Sequence, residues 1–241
     1  MRDELLLYDL TDSPFCAKVR ICLQLKGVVY RRVTLTLGRR SELRRLNPLG
    51  RVPVLLDHGR PIVDSSAIAR HLEAEHPEPA LLPTDAAARA YCSLIEDWAD
   101  ESLYFVAGAF KWINAANRDT AIARTLAELG GGVFRPVLGR VVARRIAARY
   151  RAWGYGPASL PHFTERMRAS LDWIARLVEG RAFLLGRTLT LADVAVYAQL
   201  AWMRGYAERT LLGEQPAVVA WLERLDEIPA IADALATGDA A

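Results

Sequence analysis

The chain has 241 residues, 52% of them hydrophobic and 24% charged, with a formal net charge of +3. This is a globular composition with enough chain for one large or two modest domains, and the charge is too small to imply nucleic acid by itself. No apolar run approaches the roughly 18 residues of a membrane span, Met1-Arg2-Asp3-Glu4 does not read as a signal peptide, and the three cysteines, Cys16, Cys22 and Cys92, have no metal-like spacing and read as reduced thiols in a cytoplasmic setting.

Leu5 to Leu10 predicts a strand and Phe15 to Lys26 a helix, with Gly27 as its terminator. Between them lies Thr11-Asp12-Ser13-Pro14-Phe15-Cys16, a turn that puts a hydroxyl and a thiol at a helix start. Pro14 suits the first helical position, because its missing N–H would lack an intrahelical partner anyway. Ser13 is then the N-cap, and the free amides and macrodipole at that end favour an anion. A second strand falls within Val28 to Leu37, so strand, helix and strand form a βαβ unit with parallel strands.

Gly38 to Asn47 is basic and turn-like, with room for one short helix. In Arg51-Val52-Pro53-Val54-Leu55-Leu56 a proline interrupts a strand pattern, where it would remove a ladder donor. A cis Val52–Pro53 bond at the strand's start resolves the conflict and leaves the Val52 main chain free to pair with something else. Asp57-His58-Gly59-Arg60 reads as a hairpin turn, Pro61-Ile62-Val63 as the return strand, and Asp64-Ser65-Ser66 as the cap of a helix running to about Glu75.

The prolines between His76 and Asp85 cannot continue a helix, so the domains divide as 1–76, linker 77–86, and 87–241. Beyond the linker the pattern is helical: Ala86 to Asn117, Asp119 to Leu129 stopped by Gly130-Gly131-Gly132, Val133 to Trp153, His162 to Glu179, an apolar and hence buried helix over Val194 to Tyr206, then Ala217 to Leu225 and Ala230 to Ala236. Thr190 and Asp193 have capping-box spacing before the apolar helix and read as structural. Thr237 to Ala241 reads as a fraying end. The arginines at 135, 140, 144, 145, 149 and 151 read first as a solvated helix face, with a membrane surface or an anionic substrate or partner as alternatives. No aromatic interleaving accompanies them, which argues against nucleic acid. His58, His71, His76 and His162 show no ligand spacing, so no metal is expected.

Ser13-Pro14-Phe15-Cys16, Val52-Pro53, Asp64-Ser65 and Thr190-x-x-Asp193, in this order, resemble the cytosolic glutathione S-transferases of serine type, theta-, zeta- or omega-like. The resemblance implies a thioredoxin-like α/β first domain that binds glutathione and an all-α second domain that lines the site of an electrophilic co-substrate. It makes Ser13 the catalytic hydroxyl, Val52 beside Pro53 the backbone partner of the cysteinyl part, and Asp64 with Ser65 the holder of the γ-glutamyl end. Arg51 and Arg39 become candidates for the glycine carboxylate, and Phe15 a further binding residue. Tyr104 and Phe105 are candidates for the electrophile pocket. The implied activity is conjugation of the glutathione thiolate to a small hydrophobic electrophile, or peroxide reduction, by a cytoplasmic homodimer serving detoxification. Residues 135–151 with Trp153-Gly154-Tyr155-Gly156 also look like the metaxin-related branch, which makes a non-catalytic binding or targeting module one alternative. A glutathione-dependent thiol oxidoreductase using Cys16 is the other.

Overall fold

The computed structural model describes residues 5–129 and 135–236; the Gly130-Gly131-Gly132 stop, the start at Val133 and the fraying end at 237–241 lie outside them. The first strand, β1 (Leu6–Asp9), is followed by helix α1 (Pro14–Leu25) and β2 (Arg31–Thr34). A short 3-10 turn (Leu37–Arg39) leads into α2 (Arg40–Leu46), and then come β3 (Val54–Asp57), β4 (Arg60–Val63) and α3 (Ser65–Glu75). The sheet order is β2-β1-β3-β4, with β1 and β2 parallel and the other two pairs antiparallel. Thus the predicted βαβ-ββα arrangement is present. Pro53 immediately precedes β3, so no ladder donor is lost inside it, and the Val52–Pro53 bond is cis. Pro61 is tolerated because β4 is an edge strand. His58 and Gly59 both have positive φ, 47° and 78°, which suits the tight turn between β3 and β4.

The remaining elements are helical. α4 (Ala86–Trp98) passes through a π-helical segment (Ala99–Leu103) into α5 (Tyr104–Ile113), and a 3-10 turn (Ala115–Asn117) leads to α6 (Arg118–Leu129). α7 (Arg135–Ala152), α8 (Leu160–Val178), α9 (Leu191–Met203), α10 (Arg209–Leu212), α11 (Pro216–Asp226) and α12 (Pro229–Ala236) complete the chain. α9 is buried almost all round, as its apolar sequence predicts. The short α10 has no counterpart in the sequence reading, because four residues carry too little periodicity to show one.

α1 departs from the one-sided helix its spacing suggests. It lies between the sheet and the helical half, where it packs on α9 and α12, and even its cations are covered. Each is paired with another element, as burial of charge requires. Arg20 makes a two-oxygen contact with Asp9 at 2.7 and 3.0 Å and donates to the Ala234 carbonyl at 2.8 Å. Lys26 meets Glu73 at 2.7 Å and the carbonyls of His76 and Pro79. Lys18 reaches across to the π-helical segment, which brings a second element to the candidate site.

Candidate active site

The N-terminus of α1 is built as its sequence implies. Ser13 is the N-cap with extended φ and ψ of −121° and 118°, Pro14 takes the first helical position, and the Cys16 amide donates to Ser13 Oγ at 3.3 Å. The oxygen thereby accepts one bond from the helix, and its own proton can be donated to the neighbouring Cys16 sulfur or to a ligand. Ser13 and Pro14 line two neighbouring cavities. One, of about 160 Å³, is walled by Tyr104, Lys111, Trp112, Ile146 and Trp202, and the other, of about 470 Å³, by Arg20, Arg124, Ala198 and Trp202. No histidine lines either cavity, so none stands ready to take the serine proton.

Asp12 precedes this serine, and its bare negative charge would oppose an anion there. The helical half neutralises it: Lys111 Nζ lies 2.6 Å from Asp12 Oδ2, Trp202 Nε1 donates to Oδ1 at 3.0 Å, and Arg124 Nε stands 3.9 Å away. Burial holds Lys111 below the ordinary lysine range, against the pull of Asp12. Its ammonium also sits 4.9 Å from the ring centres of both Trp112 and Trp202, within cation–π range.

A separate cavity of about 370 Å³ opens at the N-terminus of α3. Phe15, Arg51, Val52, Pro53, Asp64 and Ser65 line it together, although they come from three stretches of chain. Asp64 caps α3, accepting from the amides of Ser66 at 3.0 Å and Ala67 at 2.9 Å, and does so at φ 79°. Positive φ is uncommon for a residue with a Cβ and concentrates at functional sites. Beneath it Lys18 Nζ contacts Glu96 Oε1 and Asp100 Oδ2, both at 2.5 Å, and Ser66 Oγ at 3.1 Å; Ser66 Oγ in turn donates to Glu96. Burial disfavours charge on Lys18, but Asp100 and Glu96 outweigh it and its pKa is raised. Two carboxylates therefore share one buried ammonium. Burial raises the Asp100 pKa, only partly offset by Lys18, and Asp100 Oδ1 has no partner among the described residues. A floor with spare negative charge and a buried, unsatisfied acceptor suits an ammonium.

The rings of Phe15 and Tyr104 meet between these cavities, 4.6 Å apart, and Tyr104 continues to Trp202 at 5.9 Å. Ser13 therefore faces the aromatic cavities, while Asp64 and Ser65 face the carboxylate-floored one.

Other sequence candidates lie elsewhere. Arg39 is exposed, 3.7 Å from Glu42, and lines none of these cavities. Phe105 packs among Tyr150, Trp153, Tyr155 and Phe163 in an aromatic cluster and lines none of these cavities. Cys16 is fully buried, and burial pushes its thiol well above the ordinary range, opposite to what a reactive thiolate needs. The sequence reading passed over Asp12, Lys18, Arg70, Asp100, Lys111 and Trp202. Charged residues inside largely apolar helices, Lys18 with Arg20 in α1 and Lys111 in α5, were the available signal. Among the described residues no group of three or more His, Cys, Asp and Glu is gathered as for a metal ion.

A four-stranded sheet with a cis proline, beside a helical half that shapes an aromatic pocket, defines a thioredoxin-like transferase architecture. Family models agree. Residues 7–80 match the N-terminal domain of glutathione S-transferases and residues 157–224 their C-terminal domain. The chain is 39% identical to glutathione S-transferase Z1 of Arabidopsis thaliana over 92 residues, 36% of this chain and 42% of that protein. It is 40% identical to maleylacetoacetate isomerase of Mus musculus over 98 residues, 38% of this chain and 45% of that protein. The chain thus spans less than half the length of these two relatives. The crystal structure of a glutathione S-transferase from Rhodospirillum rubrum superposes with a TM-score of 0.70 at 25% identity, covering 95% of this chain and 91% of that one. The protein belongs to the glutathione S-transferase family.

Proposed function

We propose that the protein binds glutathione across the two helix N-termini and conjugates its sulfur to a small hydrophobic electrophile. The observation that carries this reading is the pairing of a Ser13 hydroxyl that opens onto cavities at the start of α1 with a carboxylate floor carrying spare negative charge at the start of α3. The γ-glutamyl ammonium meets Asp64 and the carboxylate of Asp100, its carboxylate the α3 end at Ser65, and the Val52 main chain the cysteinyl residue. Arg51 takes the glycine carboxylate, with Arg70 on the same cavity wall. The cysteinyl side chain crosses the Phe15 ring to place sulfur at Ser13.

The energetics suffice for a thiolate. A free thiol near pKa 8.5 is only a few per cent ionised at pH 7. Lowering it by about two units needs roughly 2.7 kcal/mol. A hydrogen bond to a charged group contributes about 1.5–3 kcal/mol, and a helix N-terminus about 0.3–1. Ser13 acts as donor to the sulfur, not as base. The thiolate then forms the S–C bond as the electrophile's leaving group departs, or adds to an activated double bond that afterwards takes up a proton. Tyr104, Trp112, Ile146 and Trp202 supply the apolar surface for that partner. The buried, high-pKa Cys16 speaks against the thiol oxidoreductase alternative. Our reading includes a cytoplasmic homodimer, for which Tyr91 and Leu94 on α4 offer exposed apolar side chains. Among the described residues no helix is long and apolar enough to cross a membrane.

Calorimetry with glutathione and a conjugation assay with an aryl halide test the reading together. Binding with turnover supports it, binding without turnover favours the non-catalytic module, and no binding overturns it.

A further inference from the structure

Lys111 brings more to the Ser13 cavity than the neutralising of Asp12 requires. Asp12 also receives the Trp202 indole N–H at 3.0 Å, and Arg124 stands 3.9 Å from it, so two cations face one acid. An ammonium carries three N–H donors. Among the described residues the one hydrogen-bond acceptor of Lys111 is Asp12, at 2.6 Å; its other neighbours are the rings of Trp112 and Trp202, each at 4.9 Å, and of Tyr206 at 5.8 Å. A ring face is a weaker partner than an oxygen, so Lys111 keeps protons that no acceptor claims. The residue is only 3% exposed, yet it borders two cavities. One is the cavity of about 160 Å³ that it shares with Ser13. The other is a cleft of about 350 Å³ between α5, α6 and α7, whose lining includes the exposed Arg118, Asp119, Arg140 and Arg144 and so admits water.

The conjugation proposed above leaves one step without a donor. Displacement of a leaving group needs no proton, but addition to a double bond conjugated with a carbonyl turns the electrophile into an enolate that must take one up. Several side chains that line the Ser13 cavity bear protons. Ser13 is engaged with the sulfur, and the Arg124 guanidinium keeps its protons at any working pH. Burial raises the Tyr104 phenol above its ordinary range, and the Thr125 hydroxyl donates to Asp12 at 3.4 Å. Burial first, and Arg124 after it, hold Lys111 below the ordinary lysine range, which eases release of a proton. We infer that Lys111 is a catalytic proton donor for the addition of glutathione to α,β-unsaturated carbonyl compounds, an inference that rests on the glutathione reading. Sulfur forms its bond to the β-carbon, the double-bond electron pair moves onto the carbonyl as an enolate, and Lys111 Nζ delivers a proton to the α-carbon. The neutral amine regains a proton from water in the second cleft, which balances the one the glutathione thiol lost on ionising.

The test compares two co-substrates on the full chain: benzylideneacetone, an enone that needs the proton, and chlorodinitrobenzene, an aryl halide that loses chloride and needs none. For each, kcat/KM is measured at saturating glutathione in the parent, Lys111→Met and Lys111→Arg. The ratio of enone to aryl-halide kcat/KM is expected to fall about a hundredfold in both variants, because methionine has no proton to give and a guanidinium keeps its own. Lys111→Arg retains the charge beside Asp12, so its aryl-halide rate is expected to stay nearer the parent's than that of Lys111→Met. Each ratio is taken within one preparation, which removes the folded fraction from it, and either variant alone decides the outcome if the other does not fold. An unchanged ratio in Lys111→Met, a ratio restored in Lys111→Arg as charge alone would restore it, or a parent that converts the aryl halide but not the enone would overturn the inference. A parent that converts neither overturns the glutathione reading together with it.

Discussion

Two helices in this protein begin with a hydroxyl N-cap in extended conformation, Ser13 on α1 at φ −121° and Thr190 on α9 at φ −129°, and their surroundings differ completely. At α9 the fully buried Asp193 accepts from the Thr190 amide at 2.9 Å, the Thr190 hydroxyl at 2.8 Å, the Leu184 amide at 2.8 Å and Trp221 Nε1 at 3.3 Å. Every polar group there is committed to its neighbours. At α1 the hydroxyl accepts a single 3.3 Å bond and opens onto cavities. The same local chemistry is closed in one place and left unfinished in the other. A cap with nothing left to give holds a structure together, and a cap whose hydroxyl opens onto empty space is where a ligand belongs.

This contrast is sharpened by substitution, beginning with the closed cap. Asp193→Ala strands four buried donors and should cost about 3–5 kcal/mol, enough to abolish cooperative unfolding near physiological temperature; a melting-temperature loss of only a degree or two would break the contrast. Ser13→Ala should lower kcat/KM about ten- to a hundredfold while costing only about 1 kcal/mol of stability, the ordinary loss of a cap. Unchanged turnover would remove Ser13 from the chemistry. Lys111→Met should reduce turnover of the aryl halide by a smaller factor than Ser13→Ala with glutathione still bound, because Asp12 then repels the thiolate; a pH–rate profile that fails to move alkaline would contradict this.

The Lys111 site also carries a pH dependence whose sign follows from its depressed pKa. Between that lowered value and the ordinary 10.5, the native protein holds one proton fewer than the unfolded chain. This group's contribution therefore makes stability rise with pH across that window. Because the ammonium faces Trp112 and Trp202, the titration should appear as a tryptophan fluorescence step below pH 10.5 that is absent from Lys111→Met. The smallest effect is expected at Cys16→Ala, with activity per folded molecule unchanged; a large loss would revive the redox thiol.

Legibility in the sequence followed the range of the interactions involved. The βαβ-ββα order, the Ser13 and Asp64 caps and the cis Val52–Pro53 bond are local, and the residue types announce them. So is the Asp193 contact to the Thr190 amide. Phe15, Arg51, Val52, Pro53, Asp64 and Ser65 were named from a resemblance, and they line one cavity. What stayed hidden depends on tertiary placement. Lys18 and Asp100 meet across 82 residues, and the π-helical turn that carries Asp100 leaves no periodic mark. Arg39 sits close in sequence to residues of the cavity wall, yet its short helical turn carries it outside. Likewise nothing in the sequence shows which arginines of α7 line the cleft behind Lys111, because Gly139 seats that helix against α6.

The central claim concerns one proton on one sulfur. Ultraviolet difference absorbance of the bound thiolate, recorded against pH for the parent and for Ser13→Ala, addresses it directly. The account predicts a bound thiol ionising about two units below the free value of about 8.5, with most of that depression lost in the variant. Binding with an undisturbed thiol pKa, or an identical depression in both proteins, would contradict it.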